Sequence, residues 1–192
     1  MKSLSQKITE IDQFIKSNKI QSVSFDIDGT VYPINKVKIR WWIKFFVHPP
    51  IAMKFLKIRK TWEKRRAGDI TVNVTKEDVV FFENFLASLL SPDLVPIEIS
   101  QWMKDLKRRN IRILFLSDHG AEIKLTTLKL ASHGEAVNCL TTTGELKPHA
   151  AITNHLINNL NVKGKTHLHL GDRWTDEAQA KLMDASFMYL MP

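Results

Sequence analysis

Apolar positions recur along the chain with two periods. Leu4, Ile8, Ile11, Phe14 and Ile15 sit at helical spacing over residues 4–18 and predict an amphipathic helix. Ile20 then opens an apolar run, broken by Gln21, Ser22 and Ser24, that predicts a short strand over about 20–26. From 35 the pattern changes. Residues 36–47 carry Ile39, Trp41, Trp42, Ile43, Phe45, Phe46 and Val47 with Lys36, Lys38, Arg40 and Lys44 between them, a helix that His48-Pro49-Pro50 breaks. Residues 51–66 form a second basic helix, stopped at Gly68-Asp69. Thr75 begins a third, with Glu77 and Asp78 in its first turn where the helix dipole favours acids, and Ser91-Pro92 ends it. Beyond Pro96 helices and strands alternate. Helices are expected at 97–109, 121–132, 149–160 and 176–183, and strands at 111–116, 137–140, 166–170 and 187–190. Residues 141–147 read as a polar loop, and Pro148 as a first-turn residue of the helix after it. Alternation of this kind argues for an α/β fold, a Rossmann-like parallel sheet with helices on both faces. The expected domains are a core from 1–34 and 93–192 and an all-helical insertion at 35–92.

Composition adds little to this and removes several classes. The 192 residues suit one core with a small insertion, and 44% hydrophobic with 25% charged residues is ordinary for a globular protein. Lys and Arg number 28 against 20 acids, so the +8 charge favours acidic partners. The single cysteine, Cys139, lies in an apolar run, has no partner for an internal disulfide and reads as a small buried hydrophobe. Neither a signal peptide nor 18 uninterrupted apolar residues occur, so the cytosol is the expected compartment.

The candidate chemistry falls at strand ends. Asp26 and Asp28 follow the first strand, Ser117 the second, Lys147 lies in the loop after the third, and Asp172 with Asp176 follows the fourth. In a parallel sheet all these ends share one edge, where ligands bind. Singly, each has a plainer explanation: a helix cap for Ser117, surface charge for Lys147, a turn for Gly171-Asp172. Together they fit phosphoryl transfer. Three carboxylates at one edge repel unless a hard cation lies among them, and Mg²⁺ takes oxygen ligands and bridges carboxylate to phosphate. Asp26 can attack phosphorus, and Asp28 can protonate the leaving oxygen and later accept a proton from water. Lys147 and the Ser117 hydroxyl can hold the non-bridging oxygens, with backbone N–H groups near Gly29 and Asp118.

Asp26-Ile27-Asp28-Gly29-Thr30, Ser117, Lys147-Pro148 and Gly171-Asp172-Arg173-Trp174-Thr175-Asp176 resemble, in order, the four motifs of the haloacid dehalogenase-like (HAD) superfamily. The resemblance spans about 20–190 apart from the insertion. It implies a Rossmann-like core, an aspartyl-phosphate intermediate and Mg²⁺. By motif position it implies Asp26 as nucleophile and metal ligand, and Asp28 as general acid/base that binds metal through its backbone carbonyl. It makes Thr30, Ser117 and Lys147 phosphate-binding, with Thr30 also a loop support that helps position Asp28. Asp172 becomes a metal ligand, and Asp176 orients the metal shell or Lys147. An acid at position 28 resembles the phosphatase and phosphomutase branch, and an insertion between the first two motifs resembles a C1 helical cap. The expected function is Mg²⁺-dependent hydrolysis of a small phosphomonoester. The alternatives are a phosphomutase with the same nucleophile, or a membrane-surface or binding protein on this scaffold.

Departures from the family pattern are Arg173 and Trp174 after Asp172, Asp184-Ala185 where an Ala-Gly pair is common, and Asp118-His119-Gly120 after Ser117. His119 reads as a solvated loop histidine, with substrate contact as the alternative. Residues 36–66 read first as a cap whose aromatics pack inward with solvated cations. The second reading is a membrane-surface element that favours anionic lipid, which would make the protein peripheral at a membrane. Nucleic acid is not an expected partner, since no groove-reading motif occurs.

Overall fold

The computed structural model describes residues 2–67 and 75–191, so the expected stop at Gly68-Asp69 lies outside the described residues. The first helix, Leu4–Ser17 (α1), begins at a capping box in which Ser3 and Gln6 satisfy each other's backbone N–H, at 3.2 and 2.9 Å. The chain turns at Lys19 and enters Ser22–Phe25 (β1). Ile34–Val47 (α2), Pro49–Arg66 (α3) and Lys76–Ala87 (α4) follow before the chain returns through Ile97–Arg108 (α5) to Arg112–Ser117 (β2). The two prolines of the helix break do not merely interrupt. They occupy the first turn of α3, where no N–H is needed. Thr75 caps α4 by accepting from the Asp78 N–H at 3.1 Å.

The remaining elements are Ala121–Thr127 (α6), Glu135–Asn138 (β3), Cys139–Thr143 (α7), Ala150–Asn154 (α8), His167–Gly171 (β4), Trp174–Leu182 (α9) and Ser186–Tyr189 (β5). The sheet order is β3-β2-β1-β4-β5, with every neighbouring pair parallel. The α/β parallel sheet expected from the alternation is therefore present.

Several boundaries differ from expectation. The third strand ends at Asn138; Cys139 and Leu140, expected in that strand, instead begin α7, which runs on into the expected loop. Helix α6 stops at Thr127 because Lys129 adopts a left-handed conformation (φ 58°). The expected helix at 149–160 divides into α8 and one π-helical turn, His155–Asn159. His149, not Pro148, sits at the start of α8 and accepts from the Ala151 N–H at 3.2 Å.

Side chains alternate across the sheet and give it two buried faces. Val23, Phe25, Ile113, Phe115, Leu168 and Leu170 face α1 and α5, and the Phe25 ring meets the Trp102 edge at 5.7 Å. On the other face Leu114, Leu116 and Val137 pack with Ile152, Leu156 and Met183. That second face is unusual at its centre, where β1 and β4 place Ser22, Ser24, His167 and His169, all buried.

Because all strands run the same way, Asp26, Ser117-Asp118, Asn138 and Asp172 emerge at one edge. Helices α3 and α4 press onto that edge. Trp62 stacks on His119 with centroids 3.7 Å apart, and Phe82 packs against both Trp62 and Phe55. Glu83 accepts from the Gly120 N–H at 2.7 Å and from Asn138 Nδ2 at 2.8 Å, which ties α4 to the turns after β2 and β3.

Candidate functional site

The site is built at the carboxyl ends of β1, β2 and β4. Asp26 is buried, and its Oδ1 accepts from Lys147 Nζ at 2.6 Å. Lys147 is buried too and also donates to Asp176 Oδ1 at 2.7 Å and the Leu116 carbonyl at 3.1 Å. One ammonium thus bridges the first and last motifs. Asp176 lies in the first turn of α9, and its Oδ2 accepts the backbone N–H groups of Asp172 and Arg173 at 3.3 and 3.2 Å. Acid and helix N-terminus suit each other there.

Two glycines set how closely these groups approach. Gly29 has φ 91°, a conformation side chains disfavour, and a Cβ there would collide with the Asp172 carboxylate. A Cβ at Gly171 would collide with the Asp176 side chain. The Asp-Gly pairs of the sequence are therefore close-packing positions as well as turns.

Asp28 projects the other way. Its carboxylate accepts from the Tyr32 hydroxyl and from Lys124 Nζ. Lys124 is buried and also bonds the Ser117 hydroxyl at 3.0 Å, while Ser117 Oγ donates to the His119 carbonyl at 3.0 Å. Thr30 is buried with its hydroxyl 3.5 Å from Asp26 Oδ2, so it reaches Asp26 rather than Asp28. Asp118 accepts from the Lys147 backbone N–H at 2.8 Å and from Arg66 of α3 at 2.5 Å.

The charges respond to this packing. Burial pushes the Asp26 carboxyl up to about 7, against the pull of Lys147. Burial raises Asp172 as well, opposed by Arg173. For Asp28, burial is outweighed by Lys124 and the Tyr32 hydrogen bond, which hold it below its ordinary value. For Asp176, burial is outweighed by Lys147 and His169, which hold it well below the carboxylate range. Burial opposes charge on Lys147, yet Asp26 and Asp176 hold its pKa well above normal.

Carboxylate oxygens of Asp26, Asp172 and Asp176 lie within 4.8 Å of one another. Four site carboxylates (Asp26, Asp28, Asp172, Asp176) face three cations, Lys124, Lys147 and Arg173. An all-oxygen donor set with unneutralised charge fits a hard divalent cation. The metal-ligating set implied by motif is Asp26 and Asp172 through their side chains and Asp28 through its backbone carbonyl. Among side chains, the geometry groups Asp176 with Asp26 and Asp172, and the Asp28 carboxylate is turned toward Tyr32 and Lys124.

Above these acids lies a cavity of about 520 Å³. Asp26, Asp28, Asp118 and Asp172 form its floor, and Val37, Trp41, Phe55, Trp62 and Leu89 line its walls. Arg59, Arg66 and Arg173 add positive charge to the lining. Thr30, Ser117, Lys147 and Asp176 are buried, their polar atoms engaged by protein groups.

His119 corrects its sequence reading. It is not solvated but buried between Trp62 and Phe82, and burial lowers its pKa to about 3. Arg173 reaches the cavity, whereas Trp174 beside it is exposed and does not. Lys124 escaped the sequence reading altogether. Its signal was present: it falls in the apolar stripe Ala121, Leu125, Leu128, where a lysine needs a buried partner.

A polar chain supports the site from beneath. Ser22 Oγ lies 2.7 Å from His167 Nδ1, Ser24 Oγ 2.8 Å from His167 Nε2, and Ser24 Oγ 2.6 Å from His169 Nδ1. His169 Nε2 stands 3.6 Å from Asp176 Oδ1, an electrostatic contact longer than a hydrogen bond. A carboxylate only accepts, which favours the proton on Nε2 and so orders the chain. Ser22 donates to His167, His167 Nε2–H to Ser24, and Ser24 to His169.

Solved structures with this fold are several. CbbY from Rhodobacter sphaeroides in complex with phosphate matches at 14% identity, TM-score 0.62, covering 88% of this chain and 85% of that one. A predicted phosphoglycolate phosphatase from Haemophilus somnus matches at 16% identity, TM-score 0.55, covering 88% and 84%. A beta-phosphoglucomutase from Clostridium difficile matches at 17% identity, TM-score 0.59, covering 88% and 83%. At such identities these likenesses show the fold alone. No curated protein matches the chain. The family model for haloacid dehalogenase-like hydrolases matches residues 20–184, which takes in every motif described above, and the chain belongs to that family.

Proposed function

We propose that the protein is a Mg²⁺-dependent phosphatase that hydrolyses a phosphomonoester through a phosphoryl group carried on Asp26. The observation that supports this best is the Asp26 carboxylate itself. It is buried at the floor of a cavity, bonded to Lys147, and within reach of Asp172 and Asp176.

Asp26, Asp172 and Asp176 are the side chains that would hold the cation. Bound there, Mg²⁺ supplies positive charge against the carboxylates and the phosphate oxygens. The rest is done by the chain. A carboxylate oxygen of Asp26 attacks phosphorus, and the bond from phosphorus to the ester oxygen breaks. The departing oxygen takes a proton from Asp28. Lys124 and Tyr32 keep Asp28 anionic in the free protein, and the entering phosphate dianion raises its proton affinity by like-charge repulsion. Water then attacks the same phosphorus and gives its proton to Asp28 as the bond to Asp26 breaks, which restores the Asp26 carboxylate and the protonated Asp28. Lys147 balances charge on Asp26 in each step, and Asp176 fixes the lysine.

Helices α2–α4 serve as a cap. Arg66 on Asp118, Trp62 on His119 and Glu83 on Gly120 hold them over the strand ends, which excludes water from the phosphoryl group. Phosphate release from a panel of phosphomonoesters, with and without Mg²⁺, tests the reading. Activity that needs Mg²⁺ and disappears in Asp26→Asn is expected. An isomerised phosphoester in place of free phosphate would identify a phosphomutase with the same nucleophile.

A further inference from the structure

Helix α2 is apolar on two sides. Ile34, Val37 and Trp41 turn inward to the cavity and the core, and Phe45 packs on the Trp41 ring at 5.4 Å. A second stripe points outward: Ile39, Trp42, Ile43, Phe46 and Val47, three or four residues apart. Phe46 is 75% exposed, and Ile39 and Val47 are each 63% exposed. No element among the described residues covers them. Ordinary surface helices keep polar side chains there.

The charge around the stripe is one-sided. Residues 34–66 contain eleven Lys and Arg against a single acid, Glu63. That segment therefore carries +10 of a chain whose total is +8, and the remainder is −2. Arg40, Arg59 and Arg66 pair with Asp93, Glu63 and Asp118. Lys36, Lys38, Lys44, Lys57 and Lys60 pair with no carboxylate among the described residues.

The cavity opens beside this face. Trp42 belongs both to its lining and to the outward stripe, and Lys38 and Leu56 also border it. From that mouth an apolar wall of Val37, Trp41, Phe55, Leu86 and Leu89 leads down to the carboxylates.

We propose that the outward face of α2, with the basic surface of α3, docks on an anionic lipid bilayer. The cavity then takes from it a phosphomonoester that carries an apolar chain. The second half of this rests on the phosphatase reading; the first does not. Charge decides the partner. A second copy pairing through the stripe would bring two segments of +10 together. A polyanion such as nucleic acid has no use for exposed Phe46 and Ile43. A bilayer surface containing acidic lipid offers apolar depth beneath negative charge, which is the pairing this face presents. No helix among the described residues is long and apolar enough to cross a membrane, so the attachment is to the surface.

Flotation with vesicles of phosphatidylcholine alone, and of phosphatidylcholine mixed with phosphatidylglycerol, tests the docking. The full chain is expected to float with the mixed vesicles at low salt, to be released by high salt, and to ignore phosphatidylcholine alone. The double substitution Ile43→Ser, Phe46→Ser removes two outward side chains that do not line the cavity. It is expected to weaken vesicle binding about tenfold or more, since each contributes burial at the interface. Release of phosphate from water-soluble p-nitrophenyl phosphate should not change. Release from phosphatidic acid in mixed vesicles should fall with the binding.

Absence of wild-type binding at low salt, or equal binding by the double variant, overturns the docking. So does a wild-type dimer in sedimentation that the substitutions split without any vesicle binding. Flotation needs no catalysis. Vesicle binding with no phosphate release from any ester would sink the phosphatase reading and leave the docking standing. Turnover of the soluble ester without binding would do the reverse.

Discussion

Replacing Ser24 by Ala removes one oxygen from the centre of the second buried face. That oxygen serves two imidazoles, His167 Nε2 at 2.8 Å and His169 Nδ1 at 2.6 Å. All three residues are fully buried, so no water can replace the hydroxyl without a rearrangement of the sheet face. Each lost partner leaves a buried ring nitrogen unsatisfied at about 1–3 kcal/mol, so the substitution should cost about 2–6 kcal/mol. With a urea slope of about 2 kcal/mol per M, the unfolding midpoint should fall by about 1–3 M at neutral pH. The same chain has an acid signature. Burial lowers the His167 pKa to about 3, so the folded state keeps the ring neutral while the unfolded chain binds a proton below about 6.5. The unfolded state thus binds more protons, and the stabilisation present above pH 6.5 is lost as pH falls toward 3. Stability should drop by about 1.4 kcal/mol per pH unit for each such histidine in that window. A midpoint shift worth less than about 1 kcal/mol in Ser24→Ala would refute the chain, because two unsatisfied nitrogens cannot cost so little. Wild-type stability that stays flat between pH 6.5 and pH 5 would refute the neutral, buried state of His167.

Three further outcomes are expected. Gly29→Ala should fold with strain, because φ 91° and the Asp172 carboxylate both oppose a Cβ; displacement of Asp172 should weaken Mg²⁺ activation by about 10-fold or more, read from a metal titration of activity. Lys124→Met keeps the buried stem but frees Asp28 and Ser117, so kcat for phosphate release should fall by about 10²-fold while KM changes little; an equal loss carried by KM alone would assign Lys124 to substrate binding instead. Chelation of divalent metal should abolish turnover, and Mg²⁺ should restore it in wild type but not in Asp172→Asn.

The strand ends were legible because local pattern fixes them. Asp26, Asp28, Ser117 and Asp172 each follow an apolar run, and parallel topology is enough to send all four to one edge. What stayed hidden depends on which helix face or strand register meets which. Lys124 looked like any helical lysine until the stripe of Ala121, Leu125 and Leu128 was seen to face the sheet. The serine–histidine chain needs the pairing of Ser22 with His167 and Ser24 with His169, residues more than a hundred positions apart that no local rule joins. His119 is buried only because α3 and α4 bring Trp62 and Phe82 onto it. Boundaries shifted where a single backbone conformation intervened, as at Lys129, whose positive φ ends α6 five residues before the apolar periodicity does. The helices of 36–66 were legible as helices, yet their outward apolar stripe shows itself only once the inward one is identified.

The measurement that tests the central claim most directly is mass spectrometry of the protein quenched in acid during turnover of a phosphomonoester in Mg²⁺. A phosphoryl group on the peptide containing Asp26, absent from the Asp26→Asn protein together with phosphate release, is the predicted result. Steady phosphate release with no modified Asp26, undiminished in Asp26→Asn, would contradict the account.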